Sequence, residues 1–251
     1  MMMKRFGLFV LLALVLLGIA IAWRAPATLV SARVEHATGN RLTLSGAEGT
    51  LWRGQGTVAT GEMQLPIAWH VHPTSLLRGE ITVSVTPGAS GMPTARGEVT
   101  ATPQGIRVRD LAVALPASAL ITAAIARPRL DAAGMVELSS ALFDWPPTAA
   151  SAPISAHWHD ARIGLAGGEN VGLGEVAATL RLVNGRLTGP LRNTGGEVGL
   201  DGEITITSNG GGMVRGIVTP RRANDPRLAA LQAIGTPEGK GVRLEWRWPG
   251  R

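Results

Sequence analysis

The sequence predicts an all-β protein that follows a single membrane-spanning helix. Apolar and polar residues alternate in about a dozen short segments, which is the period of a β-strand with one buried face. The 251 residues include 33 glycines and 16 prolines, which favour short strands and frequent turns over helices. The one long uninterrupted apolar stretch covers residues 6–23.

This stretch has the length and composition of a transmembrane helix. Its eighteen residues include no charge, proline, side-chain amide or hydroxyl. A helix of that length spans about 27 Å, close to the hydrocarbon core of a bilayer. Lys4 and Arg5 precede it, so we expect residues 1–5 to form a cytoplasmic tail and the rest to be exported. A cleaved signal peptide is the alternative, because Ala20-Ile21-Ala22 offers a cleavage site, but the stretch is longer than a usual signal.

The exported part divides into a linker and two β-rich halves. Residues 24–37 are predicted to be a juxtamembrane linker, because Pro26 cannot continue a helix interior. The adjacent Pro146 and Pro147 indicate an extended spacer. We therefore expect a first periplasmic half at 38–145 and a second at 146–251.

The strands are predicted to form an elongated, twisted antiparallel sheet, with a two-sheet sandwich as the alternative. Asn184-Gly185 between two apolar runs predicts a hairpin, because both residues tolerate positive φ. Two short helices are expected at 117–126 and 226–234. Residues 97–102 are similar to 174–179, which is consistent with stacked hairpins.

Composition excludes several classes of function. There is no cysteine, so neither disulfides nor thiol chemistry are available. The net charge of +6 is spread along the chain without a basic run, and we expect no nucleic-acid partner for an exported domain. Neither a Gly-x-Ser-x-Gly elbow nor a phosphate-binding loop occurs. We expect no catalytic residues and no cofactor.

Four of the five histidines form two pairs, His70-x-His72 and His157-x-His159. Residues two apart on a strand share a face, so each pair has the spacing of two metal ligands. A third ligand at a diagnostic spacing is missing, and both pairs alternate with apolar residues where polar side chains are expected. We therefore expect no metal site, and a periplasmic metalloenzyme stays the least favoured hypothesis.

Several motifs follow one another in an order typical of a known family. They are Gly49-Thr50-Leu51-Trp52-Arg53-Gly54-Gln55-Gly56, then Trp69 with Pro73 and Leu76-Leu77-Arg78-Gly79, then Leu115-Pro116-Ala117-Ser118, and finally Asp225-Pro226-Arg227-Leu228. Together with the N-terminal anchor, they resemble the type II secretion system protein N family, also called general secretion pathway protein N.

The resemblance implies a single-pass inner-membrane protein with a periplasmic β-rich domain. Its implied function is that of a non-enzymatic accessory subunit of the machine that exports folded proteins from the periplasm across the outer membrane. The implied partners are other secretion subunits, in the inner-membrane platform and, as a further candidate, the outer-membrane secretin, together with inner-membrane lipid.

Trp52 is the candidate partner contact, with Gly49 and Gly54 on either side of it. A tryptophan between glycines either fills the end of a core or anchors an interface. Trp69, which alternates with Ile67 and Val71, is predicted to be core. The competing function is an envelope lipid-handling protein whose curved sheet offers an apolar groove to acyl chains.

Overall fold

The fold is given by a computed structural model of the chain. It describes residues 26–28, 31, 36, 43–60, 63–88, 93–119, 131–145, 151–164, 170–207, 211–222, 232 and 235–248.

The described residues form fourteen β-strands and one short 3₁₀ helix, Pro73–Arg78. The strands are β1 Thr43–Gly49, β2 Arg53–Thr60, β3 Met63–His72, β4 Ile81–Pro87, β5 Thr94–Thr102, β6 Gly105–Pro116, β7 Asp131–Trp145, β8 Ile154–Gly164, β9 Asn170–Val183, β10 Arg186–Thr194, β11 Val198–Thr207, β12 Gly212–Pro220, β13 Thr236–Glu238 and β14 Gly241–Trp248.

All fourteen strands belong to a single open sheet. Each strand pairs antiparallel with the next along the chain, except that β14 lies between β12 and β13. The prediction of an antiparallel all-β fold is confirmed, and the structure is the single sheet rather than the sandwich. β7 and β8 pair from Asp131 to Ser139, so one sheet continues past the predicted spacer at 146–147. A division into separate domains stays a prediction.

Several local predictions are tested by the described residues. Asn184 and Gly185, with φ of 51° and 73°, form the two-residue turn between β9 and β10, so the hairpin prediction is confirmed. The predicted helix 117–126 is helical at its first three residues, and the remainder lies outside the described residues, as does nearly all of 226–234. Within the described residues no helix is long and apolar enough to cross a membrane; the predicted anchor, 6–23, lies outside them.

The alternation of apolar residues over 99–115 predicts three strands, separated at Gly105 and at Arg109-Asp110, and the separation at Arg109-Asp110 is wrong. β6 continues through it, and Asp110, with φ of 49°, forms a β-bulge opposite Gly97 of β5. Asp160 of β8, also with φ of 49°, forms a second bulge beside Gly174 of β9. A bulge inserts one residue without ending the strand. In the sequence it interrupts the alternation of apolar and polar residues just as a turn does, so the two cannot be distinguished there. The similar segments 97–102 and 174–179 thus each begin at a bulge.

The sheet has two separate hydrophobic cores. The larger one is built by β8, β9, β11, β12 and β14, and its fully buried members are Ala161, Val171, Leu173, Val176, Val198, Val218 and Val242. The smaller one contains Ala27, Leu44 and Trp69, with half-buried neighbours such as Ile67 and Val83. Trp69 is 6% exposed, as its place in the alternating run predicts.

Candidate interaction surfaces

The turn between β1 and β2 holds Trp52 in a fixed position. The amide of Thr50 donates to the carbonyl of Arg53 at 2.8 Å, which closes the turn. The amide of Val71 on β3 donates to the carbonyl of Trp52 at 2.7 Å. The Trp52 side chain is half-buried, so it neither fills a core nor stands free of the sheet. Its backbone is tied to two strands, which is a rigid support for a contact.

The glycines on either side of this turn are required by close packing. Gly49 and Gly54 face each other across β1 and β2, and Gly49 has φ of 93°. A Cβ on Gly54 would lie 2.5 Å from the indole ring of Trp69. That ring also donates from Nε1 to the carbonyl of Leu51 at 3.2 Å. The glycines therefore allow Trp69 to pack beneath the turn that carries Trp52.

The two outer strands of the sheet differ in how they are protected. β13 has three residues and contains Pro237, and both features obstruct the addition of another strand. β1 has seven residues and pairs with β2 from Thr43 to Ser45 before a bulge at Gly46. Among the described residues, only Pro26 and Ala27 contact its other side, at Gly49 and Thr50. β1 is therefore the more accessible edge for a partner strand.

A polar row crosses β3 to β7 next to the 3₁₀ helix. Five directly paired residues share this face: His72, Thr82, Thr100, Arg107 and Asp144. Arg107 donates from Nε to the buried carboxylate of Asp144 at 2.8 Å, and this hydrogen bond and charge raise the pKa of Arg107. Four of the five, all except Asp144, line a cavity of about 400 Å³. Glutamates line it beside arginines, so it favours neither an anion nor a cation.

The two histidine pairs are engaged with protein groups. The rings of His70 and His72 are stacked at 4.9 Å, and His72 Nε2 lies 2.8 Å from the hydroxyl of Ser84. His159 Nδ1 lies 2.6 Å from the carboxylate of Glu175. The described residues include no group of three histidine or acidic side chains placed to hold a metal ion. The sequence offers Asp160 or Glu62 as an additional ligand; Asp160 lies in a strand bulge, and Glu62 lies outside the described residues.

Glu175 links His159 to the β8 bulge. Its carboxylate accepts from the amide of Asp160 at 3.2 Å and from His159 Nδ1. The hydrogen bond from the Asp160 amide, followed by that from His159, lowers the pKa of Glu175. The hydrogen bond to Glu175 in turn raises the pKa of His159. This cluster stabilises a distortion of the strand, which accounts for these residues without a metal.

One comparison with known proteins identifies the chain. A family model described as type II secretion system (T2SS), protein N, matches residues 40–245, which is most of the sequence. No curated protein sequence and no solved structure matches it. The match covers the Trp52 turn, both sheet edges, the larger core, and Leu44 and Trp69 of the smaller core. The chain belongs to the type II secretion system protein N family, a component of a secretion system and not a known family of enzymes.

Proposed function

We propose that this chain is a non-enzymatic accessory subunit of the type II secretion system, anchored in the inner membrane by residues 6–23 with its sheet in the periplasm. The observation that carries the proposal is the family match over 40–245. The apolar length of 6–23 and the preceding Lys4 and Arg5 supply the anchor and its orientation.

The subunit binds its neighbours through the Trp52 turn and the β1 edge. Trp52 is half-buried on a turn tied to β3, so a partner can cover its ring without reordering the backbone. Thr43 to Ser45 offer an edge on which a partner strand can pair. The partners are inner-membrane platform subunits and, beyond them, the secretin.

The experiment places a photoreactive residue at Trp52 or at Ser45 in the full chain, in cells with a working secretion system. The matched control is the same residue at Thr236 on β13, the protected edge. We expect secretion subunits to be captured from Trp52 and Ser45 but not from Thr236. We also expect deletion of the gene to leave folded exoproteins in the periplasm.

The competing lipid-handling function predicts the opposite pair of results. Its acyl groove would lie on the sheet face. Under this function, Trp52 and Ser45 would capture phospholipid and no secretion subunit. Export would be normal in the deletion strain. Those two results together would replace the secretion proposal.

A further inference from the structure

The exposed large apolar side chains of the described residues all lie at one end of the strands. Leu77 of the 3₁₀ helix is 89% exposed, Ile81 at the start of β4 is 50% exposed, and Trp145 at the end of β7 is 38% exposed. The others are Leu76 beside Leu77, Ile106 at the start of β6, and Val183 at the end of β9. In an antiparallel sheet these starts and ends alternate onto the same rim.

Five of these residues lie along the same rim of the sheet, and we call them the Leu77 rim: Leu76, Leu77, Ile81, Ile106 and Trp145. Ile81 pairs with Ala101, Ala101 with Ile106, and Ile106 with Trp145. Directly paired residues point to the same face of a sheet, so these side chains form a continuous row. Leu76 and Leu77 lie at the β4 end of this row.

The burial of polar and apolar side chains at the rim is the reverse of that at a water-exposed surface. Three of the five are followed or preceded in the chain by a buried polar residue: Ser75, beside Leu76, is 1% exposed, Thr82, beside Ile81, is 8% exposed, and Asp144, beside Trp145, is 6% exposed. Ser75 is fixed by donating to the His72 carbonyl at 2.7 Å and accepting from the Thr82 amide at 3.0 Å. At this rim, polar side chains are therefore buried, while leucine, isoleucine and tryptophan side chains are exposed. An apolar surface of this kind indicates an apolar partner.

The chain leading to the predicted anchor arrives at this same rim. Pro26 forms a bridge with Thr50 in the β1–β2 turn, and the buried Ala27 donates to the carbonyl of Gly49 at 3.3 Å. Trp23, the last residue of the apolar stretch, is three residues before Pro26, and three residues span at most about 11 Å. Neighbouring strands are about 4.8 Å apart, so β4 lies about 15 Å across the sheet from β1.

We propose that the Leu77 rim rests on the periplasmic surface of the membrane that holds the anchor, with Leu77 and Trp145 in its lipid interface. The proposal rests on the anchor at 6–23 and adds to it an orientation of the sheet. Apolar tips and an interfacial tryptophan suit the headgroup boundary. Arg78, beside Leu77, forms an ion pair with Glu80 at 3.5 Å and keeps a side chain that is 67% exposed, so it can also contact lipid phosphates. The strands then rise from the membrane, and the opposite rim points into the periplasm.

The absence of cysteine makes a direct test possible, because each single cysteine variant carries one label. Leu77→Cys in the full chain receives an environment-sensitive fluorophore and is reconstituted in vesicles of phosphatidylethanolamine and phosphatidylglycerol. The matched control is Thr194→Cys, an exposed residue at the other end of the strands. We expect lipids carrying a quencher near the headgroup to quench the Leu77 label several-fold more strongly than the Thr194 label.

Carbonate extraction of the same vesicles separates the two proposals. If the protein resists extraction but the Leu77 label is quenched no more than the Thr194 label, the orientation is overturned and the anchor stands. A blue-shifted Leu77 label that lipid quenchers do not reach also overturns it, in favour of contact between copies of the chain. Release by carbonate overturns the anchor and the orientation with it.

Discussion

The N-terminal section of the sheet, β1–β7, and the C-terminal section, β8–β14, treat their apolar residues in opposite ways. In the C-terminal section Val171, Val198 and Val242 are at most 2% exposed. In the N-terminal section the fully buried cluster is three residues, and five large apolar side chains are exposed. The difference separates a section that buries its apolar residues in one core from a section that leaves several of them exposed.

The C-terminal section closes because the start of β9 folds against the β10–β11 turn. The amide of Glu197 donates to the carbonyl of Gly172 at 2.8 Å. Asn193 donates to the carbonyls of Leu173 and Val198 at 2.6 and 2.8 Å. These bonds satisfy backbone groups that would otherwise be buried without partners, so the apolar residues between them can close into a core. In the N-terminal section the corresponding hydrogen bonds fix the Trp52 turn and the 3₁₀ helix instead.

The largest effect should come from truncating the C-terminal core. Leu173→Ala removes a side chain that is 4% exposed, and we expect a loss of about 2–5 kcal/mol in the free energy of unfolding. Leu77→Ala is the matched change in the N-terminal section, and we expect it to stay within about 0.5 kcal/mol of the parent. Urea unfolding of the full chain in detergent, followed by tryptophan fluorescence, measures both. Equal losses of unfolding free energy in the two variants would contradict the expected difference between the two sections.

The second effect tests the close packing under the Trp52 turn. Gly54→Ala introduces a Cβ 2.5 Å from both the Trp69 ring and the Glu48 carbonyl oxygen, and we expect a loss of about 1–3 kcal/mol. We also expect weaker capture of partners from Trp52, because the turn must shift. Gly199→Ala is the control, since its Cβ would meet only the Thr219 carbonyl at 3.7 Å. Unchanged stability in Gly54→Ala would contradict the close packing, because both the Trp69 ring and the β1 backbone would have moved aside at no cost.

The fold was predictable from the sequence where the signal is local. Alternation in β3 and β9 and the turn chemistry of Asn184-Gly185 each specify backbone geometry within a few residues. The bulges at Asp110 and Asp160 were missed because an extra residue disturbs alternation just as a turn does.

The candidate surfaces were predictable only in part. The Gly49–Gly54 segment drew attention to Trp52, but the packing of Trp69 onto Gly54 depends on a pairing between β2 and β3. The Leu77 rim was missed altogether. Ile81, Ile106 and Trp145 are far apart in the chain, and they meet only because the register of three strand pairs aligns them. No local pattern carries that information.

The third effect isolates backbone strain in the C-terminal section. Gly185 has φ of 73°, and a Cβ there would meet nothing within 4 Å. Gly185→Ala should therefore cost about 1–2 kcal/mol through its dihedral angle alone. Asn184→Gly in the same turn retains the positive φ and should change stability much less. Thermal unfolding of both variants measures the difference, and an equal loss in both would point to contacts of the Asn184 side chain instead.

The smallest effect concerns the His159–Glu175 pair, which joins β8 and β9 at the start of the C-terminal section. Because the pKa of His159 is raised by Glu175, its contribution to stability is fully present below the unfolded value of about 6.5. That contribution is lost as the pH rises through the folded pKa. The pKa of Glu175 is lowered, so its contribution is present above its ordinary value and is lost as the pH falls through the folded pKa.

The pair should therefore stabilise the sheet most between those two folded pKa values. His159→Gln should lower the urea midpoint within that window and converge with the parent above it, where the imidazole is neutral. The effect is small because both side chains are about half-exposed. His157→Gln, whose ring lies 6.3 Å from that of His159, leaves the pair in place and should retain the parent's pH dependence. If His159→Gln retains it as well, the bulge at Asp160 is held by the backbone and by Glu175 alone, and His159 adds nothing to the pH dependence of stability.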